Sequence, residues 1–381
     1  MNILGILSIV SRIIVASGFG IYIYGMIRLI LRNFHSQKRP EGERLKEHPL
    51  NLILLLLCLI FLLIISQIKL TFTFDGSLRQ NVNIIIVSVF LGLGIVFLIA
   101  QITKKKKIPS ADVIQHVLSS KQPDEFFISK RLLDWERKSN HIIAFGLALF
   151  AILIGGVITY ILVRYWISHP EYSYFIEKWE NFWFRNDGTT FLENIFNTEI
   201  FSTSRSILSL TFGGSTLLLL TIEYSRLSGK INFPFQEIVQ RQLRWEEKNA
   251  IGSYIYLITG LAVSSVILSS ILFLGVTSVV SFGDSAASIV GMRYGKHKYR
   301  HNNKTIEGTI AGSITSLISV FLFAGIYYAI AAVIVFIIID LVCPNPFKIN
   351  DNLLLPLVLT GTFVILFALK VPSMHILEYF L

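Results

Sequence analysis

The chain has 381 residues, of which 53% are hydrophobic and only 15% are charged. This composition excludes an ordinary soluble domain. The repeated apolar runs are each about 20 residues long, the length that a helix needs to cross a bilayer, and they lack the alternation of a membrane β-barrel. The net charge of +10 lies mainly in short loops beside these runs, where it is typical of cytoplasmic loops and argues against nucleic-acid binding.

Cysteine and histidine provide no framework for the fold. Cys58 and Cys343 are the two cysteines, and the eight histidines are scattered, so no disulfide pattern and no zinc-ligand spacing is present in the sequence. The apolar N-terminal run has no basic region before it and no cleavage site after it. We therefore expect it to be a retained helix.

The first part of the chain is predicted to contain three membrane helices, at 3–31, 50–68 and 82–102. A basic loop follows the first helix and the four lysines of 104–107 follow the third, so we expect the N-terminus outside and these loops in the cytoplasm. The polar stretch that follows is predicted to be cytoplasmic. The chain thus divides into N-terminal transmembrane helices at 1–103, a basic cytoplasmic segment at 104–140 and a membrane domain at 141–381.

Seven further helices are predicted in the membrane domain, at 142–165, 206–222, 251–274, 275–292, 307–328, 329–342 and 353–370. The expected fold is an all-α membrane bundle of about ten helices. Every basic loop then lies on the cytoplasmic side, together with the polar clusters of the membrane domain.

The stretch 281–312 contains the most informative polar residue. Asp284 lies in small, apolar sequence, and an acid at membrane depth is a functional-site hypothesis because burying its charge is expensive. Asp340, near the end of a predicted helix, is explained by an interfacial position. A basic turn with Lys298 and Arg300 follows Asp284, and for these two residues a role in orientation is the simpler interpretation.

The residues around Asp284 suit phosphate chemistry at a membrane surface. Such a site needs cations for the phosphate oxygens, carboxylates for Mg²⁺ and backbone open to close approach. No P-loop motif is present. Glycines in membrane helices also serve packing, which is the alternative interpretation for them. The candidates are Gly283, Gly291 and Gly295 for close approach, Lys296 and Lys304 for phosphate, and Asp284 and Glu307 as oxygen ligands.

The order of these motifs resembles that of the polyprenol kinase family, which includes dolichol kinase, phytol kinase and the CTP-dependent diacylglycerol kinase of fungi. The resemblance covers about residues 130 to 370. One departure is Asn350, where many members have a second acid. The similar motifs are G-D-S-A-A-S-I-V-G from Gly283, Y-G-K from Tyr294, K-T-I-E-G-T from Lys304, Arg137-Lys138 with His141, Glu223 with Arg226, Arg244 with Glu247, and D-N-L-x-x-P from Asp351.

The resemblance implies an integral membrane enzyme that transfers the γ-phosphate of CTP to the hydroxyl of a lipid alcohol. The motifs do not separate the members of the family. About ten crossings favour a chain most like a dolichol kinase, with dolichol or a related polyprenol as acceptor, and phytol, geranylgeraniol or diacylglycerol are the alternative acceptors. The implied partners are CTP, the lipid alcohol and the bilayer. The implied location is the endoplasmic reticulum membrane in a eukaryote or the cell membrane in a prokaryote, with the active site facing the cytoplasm.

The resemblance also implies a division of roles among the candidates. Asp284 is expected to bind Mg²⁺, with Glu307 or Asp351 as a second ligand or as the acceptor of the hydroxyl proton. The cations expected to contact phosphate are Arg137, Lys138, Lys296 and Lys304. The supporting residues are His141, Glu223, Arg226, Arg244, Glu247 and Asn352.

Two other classes of protein remain open. A membrane transporter would use Asp284 and Glu307 as ion ligands beside a broken helix. A cytidylyltransferase would also use CTP and Mg²⁺ but would release pyrophosphate. The oligomeric state is not indicated by any pattern.

Overall fold

The structure is a computed structural model that describes residues 3–35, 47–72, 138–155, 202–228, 250–300, 302, 304–344 and 348–372. Within these ranges the backbone forms nine helices. They are α1 (Ile3–His35), α2 (Pro49–Phe72), α3 (Lys138–Gly155), α4 (Ser202–Ser228), α5 (Ser253–Ile267), α6 (Ser270–Tyr294), α7 (Ile306–Ala324), α8 (Ile326–Val342) and α9 (Asp351–Ala368).

The helices have the length and composition of membrane spans. Six of those in the described ranges, α1, α3, α4, α6, α7 and α9, contain a segment long and apolar enough to cross a bilayer, and α2, α5 and α8 contain shorter apolar segments. The predicted all-helical membrane fold is confirmed at this level. The predicted helix at 82–102 lies outside the described residues, and the count of ten and the sidedness stay predictions.

The chain divides into two compact units. One comprises 1–143, 214–259 and 348–350, and the other comprises 144–213, 260–347 and 351–381. In the first unit α1 packs against α2. In the second unit α7 packs against α6 and α8, and α9 packs against α8.

The boundary between α5 and α6 corrects one prediction. We predicted helices at 251–274 and 275–292, but α5 ends at Ile267 and α6 begins at Ser270. Ser269 is the N-cap, with extended backbone angles, and its carbonyl accepts the Phe273 amide. Gly275 is not a boundary but an interior contact, because a Cβ there would lie 3.3 Å from the Phe363 ring.

The boundary between α7 and α8 also differs from the prediction. We predicted a turn after Tyr328, but the break is at Gly325, whose φ is 84°. Glycine adopts this left-handed backbone without the steric cost of a Cβ. The two helices are therefore separated by a single residue.

Helix α6 changes its winding before Asp284. Residues Val279–Gly283 form a π-helical turn, and the α-helix resumes at Asp284. Short π-turns inside α-helices are rare and often occur at functional sites. The turn therefore draws attention to the same residue that the sequence singled out.

Candidate functional site

A tight turn between α6 and α7 positions the first functional side chain. Lys298 and Thr305 form an antiparallel bridge, and the Tyr299 amide donates to the Lys304 carbonyl at 3.0 Å. Thr305 is the N-cap of α7, and its hydroxyl accepts the Gly308 amide at 3.2 Å. Lys304 is thereby fixed immediately before a capped helix.

The Lys304 ammonium is shared by two carboxylates. Its Nζ lies 2.8 Å from Oδ1 of Asp340, in the last turn of α8, and 2.8 Å from Oδ2 of Asp351, the first residue of α9. Three elements of the second unit therefore meet at one charged group. We call Lys304, Asp340, Asp351 and the nearby Asp284 the Lys304 cluster.

Asp340 is the buried carboxylate of the cluster. Its side chain is 7% exposed, and its Oδ2 accepts the hydroxyl of Thr309. A negative charge near a helix C-terminus is opposed by the helix dipole, and a buried charge requires a partner. Lys304 and Thr309 compensate the buried charge of Asp340. The interfacial position predicted for Asp340 does not explain these contacts.

Asp351 has a more open environment. Its side chain is 32% exposed, and its Oδ1 accepts the Asn352 amide at 3.0 Å. Its position in the first turn of α9 is electrostatically favourable because a helix N-terminus attracts anions. The two carboxylates that hold Lys304 therefore differ strongly in burial.

The electrostatics of the cluster keep the lysine charged. Burial acts to lower the pKa of Lys304, but the carboxylates of Asp351, Asp340 and Asp284 outweigh it and raise that pKa well above its ordinary value. A protonated ammonium is suited to binding an anion such as phosphate.

A small recess lies beside the cluster. Asp284 contributes from the start of the helical segment that follows the π-turn. Polar groups therefore converge in an otherwise apolar depression, as is typical of small-molecule sites. The recess is lined by Val280, Asp284, Lys304, Phe336, Ile339, Asp340, Asp351, Asn352 and Leu355.

Asn302 fixes the turn to the end of α8. Its Nδ2 donates to the carbonyls of Asp340 at 3.2 Å and Cys343 at 2.7 Å, and its Oδ1 accepts the Lys304 amide at 3.2 Å. The sequence interpretation missed this residue, since a lone asparagine in a basic turn gives no signal. It named Asp340 but interpreted it as an interfacial residue outside the site, although an acid inside an apolar run was the same signal that identified Asp284.

Glu307 has a different partner from the one predicted for a site acid. Its Oε1 lies 2.7 Å from His297 Nδ1, and the carboxylate also accepts the His297 amide. Glu307 is absent from the residues that line the recess. Lys296 is an exposed residue of the same turn.

The candidate glycines lie at close approaches within the second unit. A Cβ at Gly291 would lie 2.8 Å from Thr305 Oγ1, and a Cβ at Gly283 would collide with Ser316. Gly295 is likewise closed off by Thr305. Packing of α6 against α7 and its cap therefore accounts for these glycines, and a phosphate-binding role for them stays a prediction.

The first unit contains a separate polar cluster. Arg226 donates to Glu223 through Nε at 2.9 Å and Nη2 at 2.6 Å, which confirms the predicted pair. Glu223 also accepts the Gly252 amide at 2.7 Å and the Tyr254 hydroxyl at 2.5 Å, and Arg226 reaches the Ala250 carbonyl. This cluster connects the end of α4 to the start of α5.

The remaining predicted residues do not form one group. Lys138 begins α3 and is half-buried, while His141 is buried one turn later. Asn352 lies beside Asp351 and lines the recess. Three predicted residues, Arg137, Arg244 and Glu247, lie outside the described residues.

The side chains of the recess provide enough oxygen ligands for Mg²⁺ only together with those of a substrate. Across the described ranges, no group of three or more His, Cys, Asp or Glu side chains is arranged to hold a metal ion by itself. Mg²⁺ prefers oxygen ligands and is commonly held by one or two carboxylates plus the phosphates of a substrate. The oxygen donors that line the recess fit that second arrangement.

Apolar helices and a charged recess define an integral membrane protein with a candidate anion-binding site. Parts of the chain are similar in sequence to known proteins. The chain is 32% identical over 124 residues to a dolichol kinase of Saccharomyces cerevisiae, and 30% identical over 198 residues to a dolichol kinase of Schizosaccharomyces pombe. It is also 32% identical over 115 residues to an uncharacterized protein of Methanocaldococcus jannaschii. The first two similarities are to members of the polyprenol kinase family, which the sequence motifs resemble.

The similarities are partial in extent. They cover 31%, 48% and 30% of this chain, and 23%, 38% and 58% of the respective relatives. No family model matches the chain, and no solved structure matches it significantly.

Proposed function

We propose that this protein is a CTP-dependent kinase of a membrane lipid alcohol, with dolichol or a related polyprenol as the acceptor. The observation that carries the proposal is the Lys304 cluster, in which a half-buried, charged lysine and three acids converge on one recess. The two relatives named dolichol kinase support the choice of acceptor. CTP as the donor rests on the resemblance of the sequence motifs.

Lys304 is the residue proposed to contact the transferred phosphoryl group. Phosphoryl transfer needs positioning and neutralisation of charge more than covalent help from the protein. An ammonium that stays protonated within a recess meets this need. In the same scheme Lys296, exposed on the turn, assists the approach of the nucleotide.

The acids have complementary roles in the proposal. Asp284 would hold Mg²⁺ together with the nucleotide phosphates, and Mg²⁺ supplies neutralisation of the charge on the β- and γ-phosphates. Asp351, the more exposed acid, accepts the proton of the acceptor hydroxyl. We assign Glu307 a bracing role through His297, because the carboxylate is engaged there.

The bond changes follow from these roles. The oxygen of the lipid hydroxyl forms a new bond to the γ-phosphorus, and the bond between that phosphorus and the β–γ bridging oxygen breaks. CDP leaves with the bonding electron pair, and the hydroxyl proton passes to Asp351. The products are a lipid monophosphate and CDP.

A product assay on the purified, full-length chain tests the function. Labelled CTP and Mg²⁺ would be supplied with dolichol, shorter polyprenols, phytol and diacylglycerol in separate reactions. We expect label from the γ-position in the lipid fraction, release of CDP and a preference for the polyprenols. Release of pyrophosphate would instead identify a cytidylyltransferase, and the absence of turnover with every acceptor would contradict the proposal.

Three variants connect the assay to the site. Asp284→Asn should abolish lipid phosphorylation in folded protein, and near-wild-type turnover would refute its proposed role. Lys304→Gln should lower activity far more than Lys298→Gln, since Lys298 is an exposed residue of the same turn and serves as the matched control.

A further inference from the structure

The two carboxylates that hold Lys304 are not equivalent. Asp340 is 7% exposed and both of its oxygens have protein partners, Lys304 on Oδ1 and the Thr309 hydroxyl on Oδ2. Asp351 is 32% exposed, and its Oδ1 accepts the amide of the adjacent residue, Asn352. The contact between Asp340 and the ammonium is therefore enclosed by protein, whereas the contact between Asp351 and the ammonium is more exposed.

The backbone beneath Asp340 is also held in place. Asn302 donates to the carbonyls of Asp340 and Cys343 and accepts the amide of Lys304 itself. Asp340 and Lys304 are thus tied together twice, once through their side chains and once through Asn302. Asp351 contacts this turn through the Lys304 ammonium, from a side chain that is more exposed than that of Asp340.

We propose that Asp340 is the fixed anchor of Lys304 and that Asp351 is its exchangeable partner. An incoming phosphate replaces Asp351 as the second partner of the ammonium, while Asp340 keeps the ammonium in the recess. Asp340 is therefore a positioning residue that acts through Lys304. This inference rests on the proposed function for the identity of the phosphate.

The exchange has a chemical consequence. While Asp351 is paired with the ammonium, one of its carboxylate oxygens is engaged and the carboxylate is a weaker base. When the Lys304 ammonium pairs with a phosphate instead, that oxygen of Asp351 is released and can then accept the hydroxyl proton. Binding of the phosphate donor thereby prepares the base before the acceptor reacts.

Chemical labelling of Lys304 tests the anchor without reference to enzyme activity. The full chain in detergent micelles would be treated at one mildly alkaline pH with an amine-selective acylating reagent, and each lysine quantified by peptide mass spectrometry. Asp340→Asn should increase acylation of Lys304 by about fivefold or more, because a released ammonium leaves the recess. Asp351→Asn should increase it clearly less, since Asp340 still holds the lysine. The exposed Lys296 and Lys298 are internal controls whose labelling should not change.

A second variant pair covers the case in which Asp340→Asn does not fold. Thr309→Val removes the hydroxyl that holds Asp340, whereas Thr309→Ser keeps it. Lys304 should be acylated faster in Thr309→Val than in Thr309→Ser. Equal labelling in this pair, or a larger effect of Asp351→Asn than of Asp340→Asn, would overturn the proposed division.

Kinetics distinguish failure of the inference from failure of the function. Asp340→Asn should mainly raise the KM for the nucleotide, with partial rescue by Asp340→Glu, whereas Asp351→Asn should mainly lower kcat. If no lipid is phosphorylated but the labelling pattern holds, the anchor stands and the kinase proposal fails. If lipid is phosphorylated and Asp340→Asn lowers kcat without changing the KM, the kinase proposal stands and the anchor fails.

Discussion

The carboxylate of Glu307 lies 2.7 Å from the imidazole Nδ1 of His297, so the first acid of α7 braces the turn rather than lining the recess. Glu307→Gln should therefore lower kcat/KM by about tenfold or less, whereas a residue acting directly on the transferred group typically costs a hundredfold or more. Steady-state assays of Glu307→Gln and Asp284→Asn under the same conditions measure this difference in kcat/KM. His297→Gln should have an effect similar to that of Glu307→Gln. If Glu307→Gln and Asp284→Asn both caused near-complete inactivation, Glu307 would have to take part in the chemical step itself.

Close packing of α6 against α7 gives a second prediction. A Cβ at Gly308 would lie 2.6 Å from the Ala287 carbonyl oxygen, which is backbone and cannot rotate away. Gly308→Ala should lower the stability of the folded protein by about 1–3 kcal/mol, the usual cost of overpacking. Thermal unfolding in detergent measures it.

Gly361→Ala is the matched control for Gly308→Ala. Gly361 lies inside α9, and a Cβ there meets nothing within 4 Å. The substitution should leave the melting temperature unchanged or raise it, because alanine loses less backbone entropy than glycine in a helix. A melting temperature for Gly308→Ala as high as that of the control would show that α6 and α7 are farther apart than described.

The buried pair of the first unit gives a third prediction. The side chains of Glu223 and Arg226 are 2% and 6% exposed, so removing one partner leaves an uncompensated charge. Glu223→Ala should destabilise the protein by about 3–5 kcal/mol. Glu223→Gln, which keeps the shape and one acceptor oxygen, should cost less. Equal melting temperatures for the two variants would mean that the charge of Glu223 contributes little.

Glu47 predicts a dependence of stability on pH. Its Oε1 accepts the Asn51 amide nitrogen at 2.7 Å and its Oε2 accepts the Ile251 amide at 3.2 Å. Burial raises the pKa of this carboxyl above its ordinary value of 4.5, although these hydrogen bonds oppose the rise. The folded state then binds the proton more tightly than the unfolded state.

The sign of this effect is therefore fixed. The contribution of Glu47 to stability is present below pH 4.5 and is lost as the pH rises through the raised pKa of the folded state. As the pH is raised from 4, the melting temperature of the unsubstituted protein should decline. This decline should be absent or smaller in Glu47→Gln. Parallel curves for the two proteins would contradict the raised pKa.

Sequence and structure agree where one physical signal dominates. Membrane helices were predictable because a bilayer imposes a minimum apolar length, and Asp284 because a charge among apolar residues is costly. The pair of Glu223 and Arg226 was predictable because residues three apart share a helix face. These signals are local in the sequence.

The differences arise where two distant segments decide the outcome. Asp340 could not be assigned to the Lys304 cluster because its partners, Lys304 and Thr309, lie on other elements, and nothing in the local pattern indicates the pairing. The predicted helix boundary falls at Gly275, yet this glycine lies inside α6, where its lack of a side chain accommodates the Phe363 ring. The actual break, at Ser269, contains no proline or glycine.

The π-turn at Val279–Gly283 sets the direction in which Asp284 points. Each residue of a regular helix turns the chain by about 100°. The π-turn instead closes with a hydrogen bond from the Asp284 amide to the Val279 carbonyl, five residues back rather than four, so it takes one residue more than a regular turn to bring the chain around. Deleting one residue from this widened turn should therefore leave the direction of the Asp284 carboxylate nearly unchanged, whereas deleting one residue from a regular turn of α6 before it would rotate Asp284 by about 100° without altering any residue of the Lys304 cluster.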